Sequence, residues 1–222
     1  MKKVREIPGL CANVQYLVLP PLYNNCYIVS FLEDGEEQVL IVDAASKPEC
    51  FIDAIGDRPV KGLILTHGHF DHFGAANALR KHYGCSVYAS ALDSDFIEGK
   101  KSGVFRQCEP CPVDIKLDNE QRLKFGDIEM QVIFTPGHSE GSMCLLVSSG
   151  KAGKRFLLSG DMLFKSSIGR TDLEYSDPHK MVDSIHKISK LDDDIVVLPG
   201  HNAFTTIKDE RNFYLDKLSG RE

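Results

Sequence analysis

The chain has 222 residues, 42% of them hydrophobic and 26% charged, with a formal net charge of −6. This length suits one large domain or two small ones, with one sizeable core possible, the expectation being a single domain over residues 1–222, and the balance is ordinary for a globular protein. There is no basic stripe for nucleic acid and no apolar run long enough for a membrane span or an export signal, so neither partner is expected. Seven cysteines are scattered without a framework, which fits reduced thiols and a cytoplasmic protein.

In chain order, residues 14–19 and 26–32 read as strands separated by a turn-rich stretch at 20–25. Asp34-Gly35 marks a hairpin, with the return strand at 38–42 ending on Asp43. Residues 48–56 read as a helix, with proline near the start and glycine at the end. The apolar run 63–65 is a short buried strand. It leads directly into Thr66-His67-Gly68-His69-Phe70-Asp71-His72, followed by a helix over 74–83 stopped at Gly84. A strand over 86–89 and a helix over 91–98 come next. Residues 99–114, which hold Cys108 and Cys111, read as a surface loop overhanging the site, with two thiols and no redox or zinc-ribbon context. A hairpin spans 122–125 and 128–134, and a strand pair spans 144–147 and 156–158. An amphipathic helix over 178–190, a strand over 195–198 and a closing helix over 208–218 complete the order.

The cluster after residue 65 packs three imidazoles and one carboxylate into six residues, a donor set that suits zinc and also iron or manganese. His67 and His69, two apart at a strand end, share one side. Asp71 and His72 are adjacent and cannot share it; they serve a second metal or turn inward as the chain enters the next helix. Three further strands end beside glycine on His138, Asp161 and His201, so four strand ends converging on one edge would assemble a site. One partition gives His67, His69 and His138 to one metal and Asp71, His72 and His201 to a second, with Asp161 bridging. Two divalent ions, zinc by first preference, would then activate a shared water as hydroxide, with Asp71, Asp161 and His201 in the catalytic set. His82, His179 and His186 lie in helix-like stretches and read as solvated or capping residues.

The cluster His67-x-His69-x-Asp71-His72 with Pro136-Gly137-His138, Ser159-Gly160-Asp161 and Pro199-Gly200-His201 resembles the metallo-β-lactamase superfamily. The resemblance implies an α/β (by some schemes α+β) four-layer αββα sandwich with the metals at one edge of its two sheets. Within it, Asn25-Cys26-Tyr27, the segment from Gly160 to Phe164, and Ser167-Ile168-Gly169-Arg170-Thr171-Asp172 look like the glyoxalase II branch, the hydroxyacylglutathione hydrolases. That implies hydrolysis of a small-molecule thioester such as S-lactoylglutathione. About twenty residues follow His201, so the short form is expected, without the C-terminal helical segment that contacts glutathione. Lys165 and Arg170 are then the local candidates to hold an anionic substrate, against a surface role or an Arg170–Asp172 pair. Competing expectations are a mononuclear-iron persulfide dioxygenase using His67, His138 and Asp161, a lactonase on the same metals, and a zinc-stabilised binding protein without turnover. Monomer and homodimer are both compatible with the resemblance.

Overall fold

The computed structural model describes residues 4–102 and 108–211. Seven strands form the first sheet in sequence order: β1 (Arg5–Ile7), β2 (Asn13–Leu19), β3 (Asn24–Glu33), β4 (Glu36–Val42), β5 (Val60–Ile64), β6 (Ser86–Ser90) and β7 (Ile115–Leu117). The first four pair antiparallel, and β4 through β7 run parallel. The second sheet uses β8 (Arg122–Phe125), β9 (Ile128–Phe134), β10 (Met143–Ser149) and β11 (Phe156–Gly160). Two short strands, β12 (Leu163–Phe164) and β13 (Ser167–Ile168), form a hairpin before β14 (Val196–Pro199) and β15 (Thr205–Thr206) return to the second sheet. Its order is β15-β14-β11-β10-β9-β8.

Strand alternation builds the layers. Along β3, Cys26 and Ile28 face one side while Tyr27, Val29 and Phe31 face the other; in β4, Val39 and Ile41 alternate with Leu40 and Val42. The first set packs under helices α1 (Pro48–Ile55) and α3 (Ala76–Tyr83). The second meets Met143, Leu145, Val147 and Leu158 between the sheets. The other face of the second sheet, with Cys144, Leu146 and Val197, packs under Met181, Ile185 and Ile188 of α5 (Pro178–Ile188), which follows the one-turn helices α2 (Phe70–Phe73) and α4 (Ser94–Ile97). Each such fully buried side chain contributes about 1.5–3 kcal/mol. Three apolar layers between four structural layers are the αββα sandwich expected above.

Local signals set the element ends. Asp177 caps α5 by accepting from the amides of His179 and Lys180, with Pro178 in the first turn. The hairpin between β3 and β4 turns at Asp34 and Gly35, both at positive φ. The 122–134 hairpin matches its expected bounds.

Other expectations need correction. The first-sheet strand begins at Asn24 rather than at residue 26, because Asn24 and Asn25 are buried and bonded rather than turn residues. The helix expected at 91–98 shrinks to α4, and the one expected at 74–83 is preceded by α2, which carries Asp71 and His72. Gly74 lies between α2 and α3 where a Cβ would come within 2.4 Å of the Ala45 carbonyl oxygen, so the close approach of the backbone requires glycine. The closing helix is described only as α6 (Ile207–Glu210); its expected remainder, 212–218, lies outside the described residues.

The loop at 99–114 has no helix or strand among its described residues, and 103–107 lie outside them. Cys111 is buried in the first core, where desolvation pushes its thiol up to about 12, and Cys108 packs against the same core. The overhang expected of this loop is not seen among its described residues, none of which lines the cavity over the histidine cluster; Lys101 sets its ammonium 5.3 Å from the Phe96 ring centroid. Among the described residues no helix is long and apolar enough to cross a membrane.

Candidate metal centre

All seven side chains singled out as donors meet at one edge of the sandwich. His67 and His69 leave the end of β5, Asp71 and His72 sit on α2, and His138, Asp161 and His201 follow β9, β11 and β14. Three donor sets form in which every ligand atom lies within 4.8 Å of the others: His67, His69 and His138; Asp71, His72 and His201; and His67, His72 and Asp161. The first two are the sets expected from the sequence, and Asp161 stands between them. Its Oδ1 is 3.3 Å from His72 Nε2, while its Oδ2 is 3.5 Å from His138 Nε2 and 3.4 Å from His201 Nε2.

Hydrogen bonds behind the cluster orient the rings. An oxygen acceptor facing Nδ1 requires the proton there and leaves the Nε2 lone pair free. His72 Nδ1 donates to Asp43 Oδ2 at 2.7 Å, His138 Nδ1 to the Arg170 carbonyl at 2.9 Å, and His201 Nδ1 to the Leu22 carbonyl at 3.2 Å. The Thr66 hydroxyl donates to Asp43 Oδ2 and so accepts from His67 Nδ1 at 3.1 Å. Four Nε2 lone pairs therefore point inward. His69 instead turns Nδ1 to the centre, 2.9 Å from His138 Nε2.

Two atoms test whether this set fits a cation. His67 Nε2 and Asp161 Oδ1 are buried without a hydrogen-bond partner. With the imidazoles neutral, both atoms are buried lone pairs with no donor, which is costly, so the residues present fit divalent cations. Charge agrees with this. Burial, then the neighbouring imidazoles, holds His67 well below the usual histidine range and His69 at about 4, which keeps both neutral as ligands must be. Burial opposes charge on His72 and His201 as well, but the surrounding carboxylates outweigh it and raise His201 to about 9. Asp71 and Asp161 lie below the usual carboxylate range: burial opposes their charge, and the facing imidazoles, His72 first, outweigh it. Without a metal, protons on His72 and His201 supply the positive charge that the carboxylates require.

The sequence reading missed three supports. Asp43, at φ 58 just beyond β4, accepts from the Thr66 amide, the Thr66 hydroxyl and His72. Parallel pairing of Val42 with Ile64 puts it beside the histidine loop; its place at a strand end next to that loop was the available signal. Asp93 accepts from the Gly68 amide, the Gly141 amide and the Ser139 hydroxyl, tying the two loops of the first donor set together. Asn24 reaches Asp71, His72 and His201 from the start of β3, and nothing in its local sequence marks it.

A cavity of about 450 Å³ opens over the cluster, lined by His69, Asp71, His138, Asp161 and His201 together with Leu22, Phe70, Phe164, Ile168 and Leu173. Arg170 also lines it, but its guanidinium is paired with Asp172 at 2.9 and 3.0 Å. Lys165 is exposed and does not line the cavity. A cluster of His/Asp donor sets able to hold divalent metal at the edge of an αββα sandwich points to the metallo-hydrolase class. The chain belongs to the metallo-β-lactamase superfamily, whose family model matches residues 19–201.

Among its relatives, the hydroxyacylglutathione hydrolase GloC of Haemophilus influenzae is 29% identical, over 90% of this chain and 95% of that one. The crystal structure of the BLEG-1 B3 metallo-β-lactamase superposes with a TM-score of 0.75 at 31% identity, covering 90% of this chain and 96% of that one. That of TTHA1623 in a di-iron-bound form gives 0.73 at 30% identity, covering 89% and 97%.

Proposed function

We propose that this protein is a binuclear metal-dependent thioesterase that hydrolyses S-2-hydroxyacyl thioesters such as S-lactoylglutathione. The observation that carries the reading is the convergence of two three-residue donor sets around Asp161 at the floor of an apolar-walled cavity. In this reading His67, His69 and His138 hold one divalent ion and Asp71, His72 and His201 the other, with Asp161 shared. The ions, when bound, supply Lewis acidity to a substrate carbonyl and lower the pKa of a coordinated water.

The chain's own residues do the rest. Asp161 presents one oxygen toward His72 and the other toward His138 and His201, so it fixes the spacing of the two sets. Asp43 and the carbonyls of Leu22 and Arg170 keep Nδ1 protonated and Nε2 directed inward. Leu22, Phe70, Phe164, Ile168 and Leu173 exclude water around the acyl group and strengthen every polar contact within. A thiolate leaving group needs little protonation, which suits a cavity lined, among the described residues, by no cysteine or lysine. The glyoxalase II branch is favoured by the likeness to GloC over most of both chains.

The test is metal content together with S-lactoylglutathione hydrolysis on protein purified without chelator. About two metals per chain and turnover of the thioester support the reading. Two metals with turnover only of a β-lactam, as the name of the BLEG-1 neighbour raises, would replace the substrate. One iron per chain with oxygen consumption on a persulfide would replace the reaction.

A further inference from the structure

Asn24 is fully buried at the first position of β3, and its side chain ends inside the second donor set. Its Nδ2 stands 2.8 Å from Asp71 Oδ2, 3.1 Å from His72 Nε2 and 3.3 Å from His201 Nε2. Both rings have turned their Nδ1 protons to oxygens behind them, so when the rings are neutral, as metal ligands must be, the amide faces two lone pairs and a carboxylate. An NH2 group has two protons for these three acceptors. At the other end of the same amide, Oδ1 is buried with no partner. The group is mismatched at both ends as a hydrogen-bonding residue.

Turning the amide about its last bond exchanges nitrogen for oxygen at nearly the same point. With neutral rings four acceptors would then face one another, an arrangement that a cation between them stabilises and that protons on the two rings stabilise when no metal is bound. The spacing fits that. Donors about 2.1 Å from one ion lie roughly 3.0–3.4 Å from their neighbours in octahedral or tetrahedral arrangement. The Asn24 terminal atom lies 2.8–3.3 Å from its three neighbours, and Asp71 and Asp161 each lie 3.4 Å from His201 Nε2. The side chain is also held in place: the Asn25 amide donates to the Gly200 carbonyl at 2.7 Å, and Asn25 Nδ2 donates to the carbonyls of Pro199 and Asn202, so the start of β3 is fastened to the loop that carries His201.

We propose that Asn24 is an additional ligand of the second divalent cation, through its side-chain carbonyl oxygen between Asp71, His72 and His201. The proposal rests on the binuclear reading above. A carbonyl oxygen raises the coordination number of that position and hardens its donor set, favouring manganese or ferrous iron relative to four-coordinate zinc.

The test compares wild type, Asn24→Ala and Asn24→Asp, each loaded with manganese or cobalt and dialysed against graded EDTA. Metals per chain and the visible absorption of the cobalt forms are read. Aspartate keeps an oxygen at the same point and removes the N–H donors; alanine removes both. The expected result is that Asn24→Ala loses its second metal at a chelator concentration at least about tenfold lower than wild type while keeping the first. Asn24→Asp keeps both, and alanine alone shifts the cobalt spectrum toward lower coordination. The retained first metal shows that the site has folded. The proposal is overturned if aspartate loses the second metal as alanine does, which would make the amide a donor to Asp71. It is also overturned if alanine keeps both metals or loses both together. Wild type binding fewer than two metals would instead overturn the binuclear reading itself.

Discussion

His72 Nδ1 lies 2.7 Å from Asp43 Oδ2, and both side chains are almost wholly buried. The contact joins the end of β4 to α2 and decides which ring nitrogen of His72 is free. Asp43 holds three donors at once, two of them from Thr66, so its carboxylate also fixes the loop that carries His67. Asp43→Asn preserves the shape but places an amide where three donors converge. Affinity for the second metal is expected to fall about 10–100-fold, with a smaller change at the first. Competitive titration against a chromophoric chelator measures both; unchanged affinity at both positions would show that the His72 ring is held by packing alone.

Removing the metals should make the fold sensitive to alkaline pH. Burial disfavours a charged His201, but Asp161 and Asp71 raise it to about 9 in the metal-free protein. A histidine whose folded value is raised stabilises the fold fully below its unfolded value of about 6.5 and loses that stabilisation as pH rises through the folded value. His72 is shifted the same way. The melting temperature of metal-free protein should therefore decline between about pH 7 and pH 9.5, while that of metal-loaded protein stays nearly level because its imidazoles are already neutral. Thermal melts across that range, with and without chelator, decide it. A level curve for the metal-free form would mean that the carboxylates find their positive charge elsewhere.

The guanidinium of Arg170 is a poor candidate for substrate recognition as the side chains stand. It makes two hydrogen bonds to Asp172, and because both groups are well exposed the pair is screened by solvent and contributes little. What Arg170 gives the site is its carbonyl, which accepts from His138 Nδ1. Arg170→Ala keeps that carbonyl, so metal content should be unchanged and KM for S-lactoylglutathione should move less than about threefold. Lys165→Ala should be equally mild. A tenfold rise in KM with unchanged kcat for Arg170→Ala would show that the guanidinium leaves Asp172 for the substrate.

The parts of this site that were legible in the sequence are those whose chemistry is local. The four ligand-bearing loops announce themselves because an imidazole or carboxylate beside glycine at a strand end has few other uses, and their number allows a partition into two donor sets. What was not legible depends on pairing between distant segments. Asp43 matters because β4 runs parallel to β5 in a register that brings it beside Thr66. Asn24 sits in a stretch whose prolines and asparagines read as a turn, yet its neighbour Asn25 is fastened to the carbonyls of Pro199 and Asn202, some 175 residues away. The one-turn helix α2 was also hidden, since four residues are too few to show a 3.6-residue period.

Asp93 shows how such a hidden residue should behave. It is fully buried, its carboxyl raised by desolvation against the opposing effect of its donors. Its Oδ2 takes the Gly68 amide at 2.8 Å and the Ser139 hydroxyl at 2.6 Å, and its Oδ1 takes the Gly141 amide at 2.7 Å. Gly68 lies between His67 and His69, and Ser139 follows His138, so one carboxylate ties together the loops of the whole first donor set. Asp93→Ala leaves three donors without an acceptor in a dry place and should destabilise the fold by about 3–5 kcal/mol. Once folded, the variant should bind the first metal more weakly than wild type and the second nearly as well, because none of the Asp93 contacts reaches Asp71, His72 or His201. Urea unfolding of the metal-free proteins gives the first quantity and stepwise metal titration the second. Loss of stability with both affinities intact would mean that Asp93 supports the core beneath the loops without setting the geometry of the three histidines.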